Sequence, residues 1–184
     1  MQDIGGRWNL SPIDLRTNRL RIRRFGEADI CPRYLGWLND ATHMRYSNQR
    51  FFSHSESSAR EFLASFALSE SQFLALESDE GLVGTSTVHL STHHGVADIG
   101  ILIGVPYVGR GLGREAIGAL AVELIRQGIR KVTIGTSSAN FGMQNLLNGL
   151  HFIPDGRRPR QEIVDGAEAD LVYFARFSPP QLTD

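Results

Sequence analysis

Ile101-Leu102-Ile103-Gly104-Val105-Pro106-Tyr107-Val108-Gly109-Arg110-Gly111-Leu112-Gly113-Arg114-Glu115-Ala116-Ile117-Gly118 carries an apolar, β-branched run into a short turn, then three glycines at alternate positions, then a helical pattern. The helix is read from Leu112, Ala116, Leu120, Ala121, Leu124 and Ile125, which recur on one face at helical spacing. The stretch therefore reads as strand, glycine-rich loop and helix N-terminus. Such a junction aims unpaired backbone N–H groups and the positive end of the helix dipole at one spot. Glycines remove the side chains that would hold an anion away from those groups. A phosphate or pyrophosphate is the natural occupant. One glycine alone would mean no more than a tight turn, but three alternating with Arg110 and an interposed Leu112, ahead of Arg114, favour anion binding.

Two nucleotide signatures compete for the stretch, and each lacks an element. Gly111-Leu112-Gly113-Arg114-Glu115-Ala116 satisfies G-x-G-x-x-G/A, but that dinucleotide fingerprint also needs an acid at the end of the next strand. The next strand, Lys131-Val132-Thr133-Ile134-Gly135-Thr136-Ser137, ends without one. The Walker pattern fails because no Gly-Lys-Ser/Thr follows the loop. The stretch resembles motif A of the GNAT acetyltransferase superfamily, Q/R-x-x-G-x-G/A. Gly111 and Gly113 fill its two small positions, Tyr107 stands where the family often has a tyrosine, and Val108 replaces the Gln or Arg. The resemblance implies that Gly109, Arg110, Gly111, Leu112, Gly113 and Arg114 hold the pyrophosphate of acetyl-CoA, the co-substrate. With Val108 in the polar slot, the loop leans on backbone N–H groups, Arg110 adding electrostatic compensation.

At 184 residues the chain suits one domain with a real core, and its 41% hydrophobic and 21% charged content are those of an ordinary globular protein. A formal net charge of -1 gives no overall pull toward nucleic acid or a membrane surface. The single cysteine, Cys31, excludes an internal disulfide and suits a reducing, cytoplasmic setting. No apolar run reaches membrane-spanning length, and Met1 to Thr17 lacks the layout of a signal peptide.

Residues 1–16 read as an irregular lead, 17–178 as a single domain and 179–184 as a tail. Arg19 to Phe25 alternates apolar and basic residues, as a half-buried strand with a solvated arginine face does. Helices are expected over Glu27–Trp37 and, capped by Ser55, over Ser55–Leu68 with Ala59, Phe62, Leu63 and Phe66 inward. A meander follows: strands Phe73–Glu77, Leu82–Leu90 and Val96–Ile103. After the helix at 111–127 come strand 131–136, helix 140–150, a strand near Phe152 and a last strand Leu171–Phe177, with a turn at Asp165-Gly166. The order β-α-α-β-β-β-α-β-α-β-β is an α+β plan with a mixed, mostly antiparallel sheet flanked by helices. It is also the element order of a GNAT domain, so the resemblance extends from about residue 18 onward.

Asn140, followed twelve residues later by Phe152, resembles motif B, which adds a contact from Asn140 to the pantetheine arm; His151 stands where that motif has glycine. Many family members place a tyrosine seven residues after the asparagine to protonate the departing thiolate. Here that residue is Leu147, and Met143 occupies the serine position of the ribosomal-protein branch. The chemistry implied is direct attack of an amine on a thioester. An alkyl ammonium, with a pKa of roughly 10, needs a base to take its proton at neutral pH. Asp98 lies where several GNAT enzymes place such a carboxylate, with a structural ion pair or simple exposure as its alternatives. His89, on the adjacent strand, is a second proton acceptor to weigh. Peptide N–H groups near Leu102 and Ile103 are the implied oxyanion donors, on a strand that splays from its neighbour. The six histidines are scattered and suggest no metal site.

Tyr34-Leu35-Gly36-Trp37-Leu38-Asn39-Asp40 and Arg50-Phe51-Phe52 resemble members that acetylate amino sugars. Trp37, Arg45, Tyr46 and Arg50 are therefore candidate acceptor contacts, with an ordinary polar loop as the alternative. The sequence thus points to an acetyl-CoA-dependent N-acetyltransferase acting on a small amine. A protein N-terminal acetyltransferase, a non-catalytic acyl-CoA sensor and an NAD-dependent oxidoreductase stand as alternatives, and a homodimer stays open.

Overall fold

The computed structural model describes residues 7–179. Its strands are β1 (Leu15–Arg16), β2 (Arg21–Arg24), β3 (Gln72–Ser78), β4 (Gly81–Ser91), β5 (Val96–Ile103), β6 (Lys131–Ser137), β7 (Ile153–Val164) and β8 (Ala167–Phe177). Its helices are α1 (Pro32–Leu38), α2 (Glu56–Ala64), α3 (Leu112–Arg126) and α4 (Phe141–Asn148). The strands form one sheet in the order β1-β2-β3-β4-β5-β6-β8-β7. Only the β5–β6 pair is parallel, as the α3 crossover between them requires. The α+β mixed sheet read from the sequence is the fold observed.

The two helical layers follow from side-chain alternation. Phe73, Thr87 and Gly100 are cross-strand partners and share one face. On that face Phe73 meets Tyr34 of α1 and Phe62 of α2 at ring-centroid distances of 6.5 and 5.1 Å, with Phe66 stacked beside them. The opposite face takes α3, whose fully buried Ala116, Ile117, Leu120, Ala121 and Leu124 form its apolar stripe against β5 and β6.

Several elements differ from the sequence reading. The first strand starts at Arg21, because Thr17 N–H and Leu20 O close a 2.8 Å turn that Thr17 Oγ1 reinforces. The lead is not wholly irregular: Leu15–Arg16 pairs with β2, and Leu10 and Ile13 are buried. Met1–Gly6 and most of the C-terminal tail, 180–184, lie outside the described residues. The helix expected over Glu27–Trp37 is split into a 3-10 turn at Glu27–Asp29 and α1. Pro32 forces Cys31 into extended backbone and then serves as the first helical residue. Helix α2 stops at Ala64, short of Leu68. The strand near Phe152 is in fact the twelve-residue β7, paired with β8 around the Asp165-Gly166 turn.

Candidate active site

Strands β5 and β6 pair at only three positions, Val96↔Lys131, Ala97↔Val132 and Asp98↔Thr133, and then part. Beyond that point β5 stays on β4 as far as Ile103↔Gly84, and β6 stays on β8 as far as Ser137↔Leu171. The result is a wedge-shaped cleft in the middle of the sheet. The Gly104 N–H bond to Val83 O, 2.9 Å, fixes the alternation along β5. Asp98, Gly100 and Leu102 turn their backbone groups to β4, while Ile99, Ile101 and Ile103 turn theirs toward β6. Past the last β5–β6 rung, the peptide groups of Ile101 and Ile103 have no strand opposite them. The open donors on this edge are therefore Ile101 and Ile103, and Leu102, named with Ile103 from sequence, spends its N–H on the ladder.

At the wide end of the wedge stands the glycine loop. Gly109 and Gly111 have φ of 81° and 79°, left-handed backbone that side chains rarely adopt. Gly111 caps α3 without a side-chain hydrogen bond. The N–H groups of Gly109, Gly111, Leu112, Gly113 and Arg114 find no acceptor among the described residues, and Arg110 N–H makes only a 3.4 Å turn bond to Tyr107 O. A diphosphate fits this cradle, which offers donors and open space above Gly109.

The arginines around the loop are committed differently from what their spacing suggests. Arg110 binds Glu80 at 2.7 Å, and Arg114 donates to Gly149 O at 2.6 Å. The cation against the loop is Arg19, from the turn before β2: its guanidinium donates to Arg110 O at 2.7 Å and binds Glu115. Glu115 also accepts from Thr17 Oγ1 at 2.6 Å and from Arg19 N–H at 2.8 Å. Burial raises the Glu115 pKa, but the hydrogen bonds from Thr17 and Arg19 outweigh it and hold the carboxyl below its usual value. Arg19 thus offsets the one acid in the first turn of α3, leaving the helix end electropositive. No sequence pattern pointed to Arg19, because its contact with Glu115 spans 96 positions. Val108, in the motif's polar slot, is 58% exposed.

Asp98 stands at the apex of the wedge. Thr133 Oγ1 donates to its Oδ2 at 2.7 Å, and His89 faces it across β4–β5. Burial pushes its pKa up, against the lowering effects of the Thr133 hydrogen bond and of His89. No ion pair to Asp98 occurs among the described residues, so the structural-pair alternative is absent here. A half-buried carboxylate with a raised pKa is suited to take a proton. On the far side Asn140 caps α4, its Oδ1 accepting from Met143 N–H at 3.2 Å, and its amide nitrogen has no partner among the described residues. Leu147 is fully buried in the core and Met143 packs against it, so neither offers a proton.

The segment between α1 and α2 closes the cleft from the side of these two helices. Trp37 is buried edge-on to Tyr107, 6.3 Å between rings, and lies over Gly104, which makes it a wall of the β5 end. Arg45 is exposed over the Tyr46 ring at 4.6 Å. Arg50 donates to Ser47 O and to Ile163 O, both at 2.7 Å, tying this segment to the end of β7 across the wedge. Two buried side-chain atoms lack a hydrogen-bond partner among the described residues: His43 Nε2 in this segment and Glu162 Oε2 beside Ile163. Sequence reading singled out neither. Among the described residues no cluster of three or more His, Cys, Asp or Glu could hold a metal, and no helix is long and apolar enough to cross a membrane.

Comparison with known proteins gives a consistent result. Residues 19–153 match the family model described as acetyltransferase (GNAT) domain. A search of the curated proteins returns no match. Among solved structures, the RimL ribosomal L7/L12 α-N-protein acetyltransferase in complex with coenzyme A aligns with a TM-score of 0.79 at 18% identity, over 88% of this chain and 95% of that one. Spermidine N-acetyltransferase from Vibrio cholerae, with CoA and spermine, aligns at 0.78 and 16%, covering 88% and 97%. The microcin C7 self-immunity acetyltransferase MccE, with acetyl-CoA and AMP, aligns at 0.76 and 15%, covering 88% and 93%. At these identities the likeness is one of fold.

Proposed function

The chain belongs to the GNAT acetyltransferase family, and from that premise we propose that it transfers the acetyl group of acetyl-CoA to the amine of a small, polar acceptor such as an amino sugar. The observation that carries this reading is the set of loop and helix N–H groups without acceptors, standing at the mouth of a strand edge that is itself unpaired. The loop from Gly109 to Arg114 would hold the diphosphate, and Asn140 would donate to the pantetheine arm. Along the edge of β5 the N–H groups of Ile101 and Ile103 would receive that arm and the thioester oxygen as it gains charge. Acetyl-CoA supplies the activated acyl group.

Asp98 would take the proton of the incoming ammonium, directly or through water, burial raising its proton affinity above that of an ordinary carboxylate. With Leu147 and Met143 unable to donate, the thiolate would leave to water or to CoA itself. Acceptor choice would lie with the segment from Trp37 to Arg50, with Arg45, Tyr46 and Arg50 as its polar candidates.

Two further readings rest on particular observations. The fold likeness to RimL keeps a protein N-terminus among the acceptors to be tried. The apolar Leu147 and Met143 at the family's acid positions are what keeps an acyl-CoA sensor as the alternative to be tested. Thermal shift with acetyl-CoA, CoA and NAD, followed by CoA release with an amine panel, separates these. Stabilisation by acetyl-CoA with turnover of an amino sugar supports the proposal. Stabilisation without turnover of any amine favours the sensor, and stabilisation by NAD alone would falsify the acyl-transfer reading.

A further inference from the structure

The sheet face toward α1 and α2 carries a proton donor beside Asp98 that no sequence motif marks. Asp98 and Thr133 form the last rung between β5 and β6, and their side chains meet on this face. Gly135 is the next β6 residue on the same face, and its partner on β8 is Tyr173. Cross-strand partners share a face, so the Tyr173 ring stands on the Asp98 side of the sheet. A Cβ added at Gly135 would lie 3.1 Å from Tyr173 Cε1 and 3.3 Å from Cδ1. The ring therefore crosses from β8 onto β6, its hydroxyl end tipped over the strand that walls one side of the wedge. Gly135 is exposed even so, which leaves the floor beside the ring open to solvent.

Position, availability and charge all fit this hydroxyl to a reacting centre. Gly135 lies two residues past the last rung, roughly 7 Å from Thr133 along β6 and level with Gly100 on β5. Ile101, the next residue on β5, has the first N–H without a strand opposite. A base at Asp98 and a donor at Tyr173 can thus bracket one carbon, each within a hydrogen bond of ~3 Å of its own atom. The Tyr173 hydroxyl has no hydrogen-bond partner among the described residues and is not shut off from solvent. The Arg158 guanidinium, 5.4 Å from the ring centroid, sets positive charge where a phenolate would form. On the opposite face α4 packs against α3, and there Leu147 and Met143 offer no proton.

We infer that Tyr173 is a catalytic residue that protonates the departing sulfur, an inference resting on the acetyltransferase reading above and replacing water or CoA as the donor. The amine gives one proton to Asp98, which passes it to water, and its nitrogen bonds to the thioester carbon. As the C–S bond breaks, the electron pair stays on sulfur and takes the Tyr173 proton, so CoA departs as the thiol. The phenolate then takes the second proton from nitrogen, leaving the amide and an intact tyrosine.

The test uses the full chain, acetyl-CoA and the panel amine that releases CoA fastest. Tyr173→Phe keeps the ring over Gly135 and removes only the hydroxyl. Its kcat should fall about 100-fold or more, with KM for the amine within about twofold of wild type. The thermal shift given by acetyl-CoA should persist, reporting a folded protein that binds the carrier. The wild-type kcat should also decline on the alkaline side, as the donor is lost, and Tyr173→Phe should lack that limb. The other titratable and charged groups on this face, Asp98, His89 and Arg158, are common to both proteins. A kcat within about threefold of wild type, or a loss confined to KM for the amine, overturns the assignment and leaves acetyl transfer standing. So does an alkaline limb that is absent from the wild type or retained by Tyr173→Phe. A wild type that neither responds to acetyl-CoA nor acetylates any panel amine sinks the transferase reading itself.

Discussion

Thr133 Oγ1 reaches Asp98 Oδ2 at 2.7 Å across the last rung that joins β5 to β6. The bond orients the carboxylate at the apex of the wedge, while burial keeps its proton affinity high. Asp98→Asn is expected to lower kcat/KM by about 100-fold or more and to leave the acetyl-CoA thermal shift in place. An unchanged rate would remove Asp98 from the reaction. Activity of the wild type should rise with pH through the raised Asp98 pKa, as the base form appears.

The same group has a signature in stability. Its carboxyl binds a proton more tightly folded than unfolded, so its contribution is greatest below the unfolded value of 3.8 and declines as pH rises through the raised folded value. The wild type should therefore lose stability relative to Asp98→Asn across that window, in parallel thermal melts of the two proteins. A constant difference would show that Asp98 titrates normally.

Gly111 and Gly113 should respond differently to alanine. Gly111 has left-handed backbone, so Gly111→Ala costs about 1–2 kcal/mol and disturbs the first helical N–H groups. Acetyl-CoA affinity should fall about tenfold or more by titration calorimetry. A Cβ on Gly113 meets only side-chain atoms, Ile103 Cγ1 at 3.4 Å and Leu146 Cδ1 at 3.8 Å, so Gly113→Ala should bind nearly as well as the wild type. Equal losses would mean that the loop's conformation does not govern binding.

Gly104 lies against the Trp37 indole so closely that any added Cβ would overlap the ring. Trp37 is hemmed in by Tyr107, so Gly104→Ala should destabilise by about 1–3 kcal/mol, lowering the melting temperature by roughly 2–4 °C per kcal/mol. Unaltered melting would mean that the indole swings aside freely.

Arg50 ties the segment between α1 and α2 to Ile163 O at the end of β7. Arg50→Ala removes the tie to Ile163 O and should raise KM for the acceptor about tenfold, the equivalent of one hydrogen bond of ~1.4 kcal/mol, with KM for acetyl-CoA unaffected. A parallel rise in both constants, measured by varying each substrate in turn, would place Arg50 in general stability instead.

The legible parts of the molecule were those whose determinants are local. The strand-loop-helix junction from Ile101 onward is set by β-branched residues, glycines and a helical stripe within one short window. Strand β7 was legible only as a strand near Phe152, not in its extent: Pro154, Gly156 and Pro159 break the alternating pattern, its face is solvated, and its pairing with β8 carries it to Val164. Glu162 was hidden for a related reason, since the register shift between Arg158 and Glu162 decides which way it points. Arg19 and Arg23 read alike as a solvated stripe, yet one serves the glycine loop and the other pairs with Asp29 and Glu77, contacts that only the tertiary fold creates.

The two margins of the sheet bear on how copies of this chain can meet. One margin is β1, only two residues long; the other is β7, where Pro159 lacks a donor and Arg160, at φ 53°, kinks the backbone out of register. Neither offers the flat, donor-rich rim that a neighbouring subunit needs to continue the pleat. Among the described residues, the wedge where β5 and β6 part is therefore the break inside the sheet at which foreign atoms can meet free strand edges.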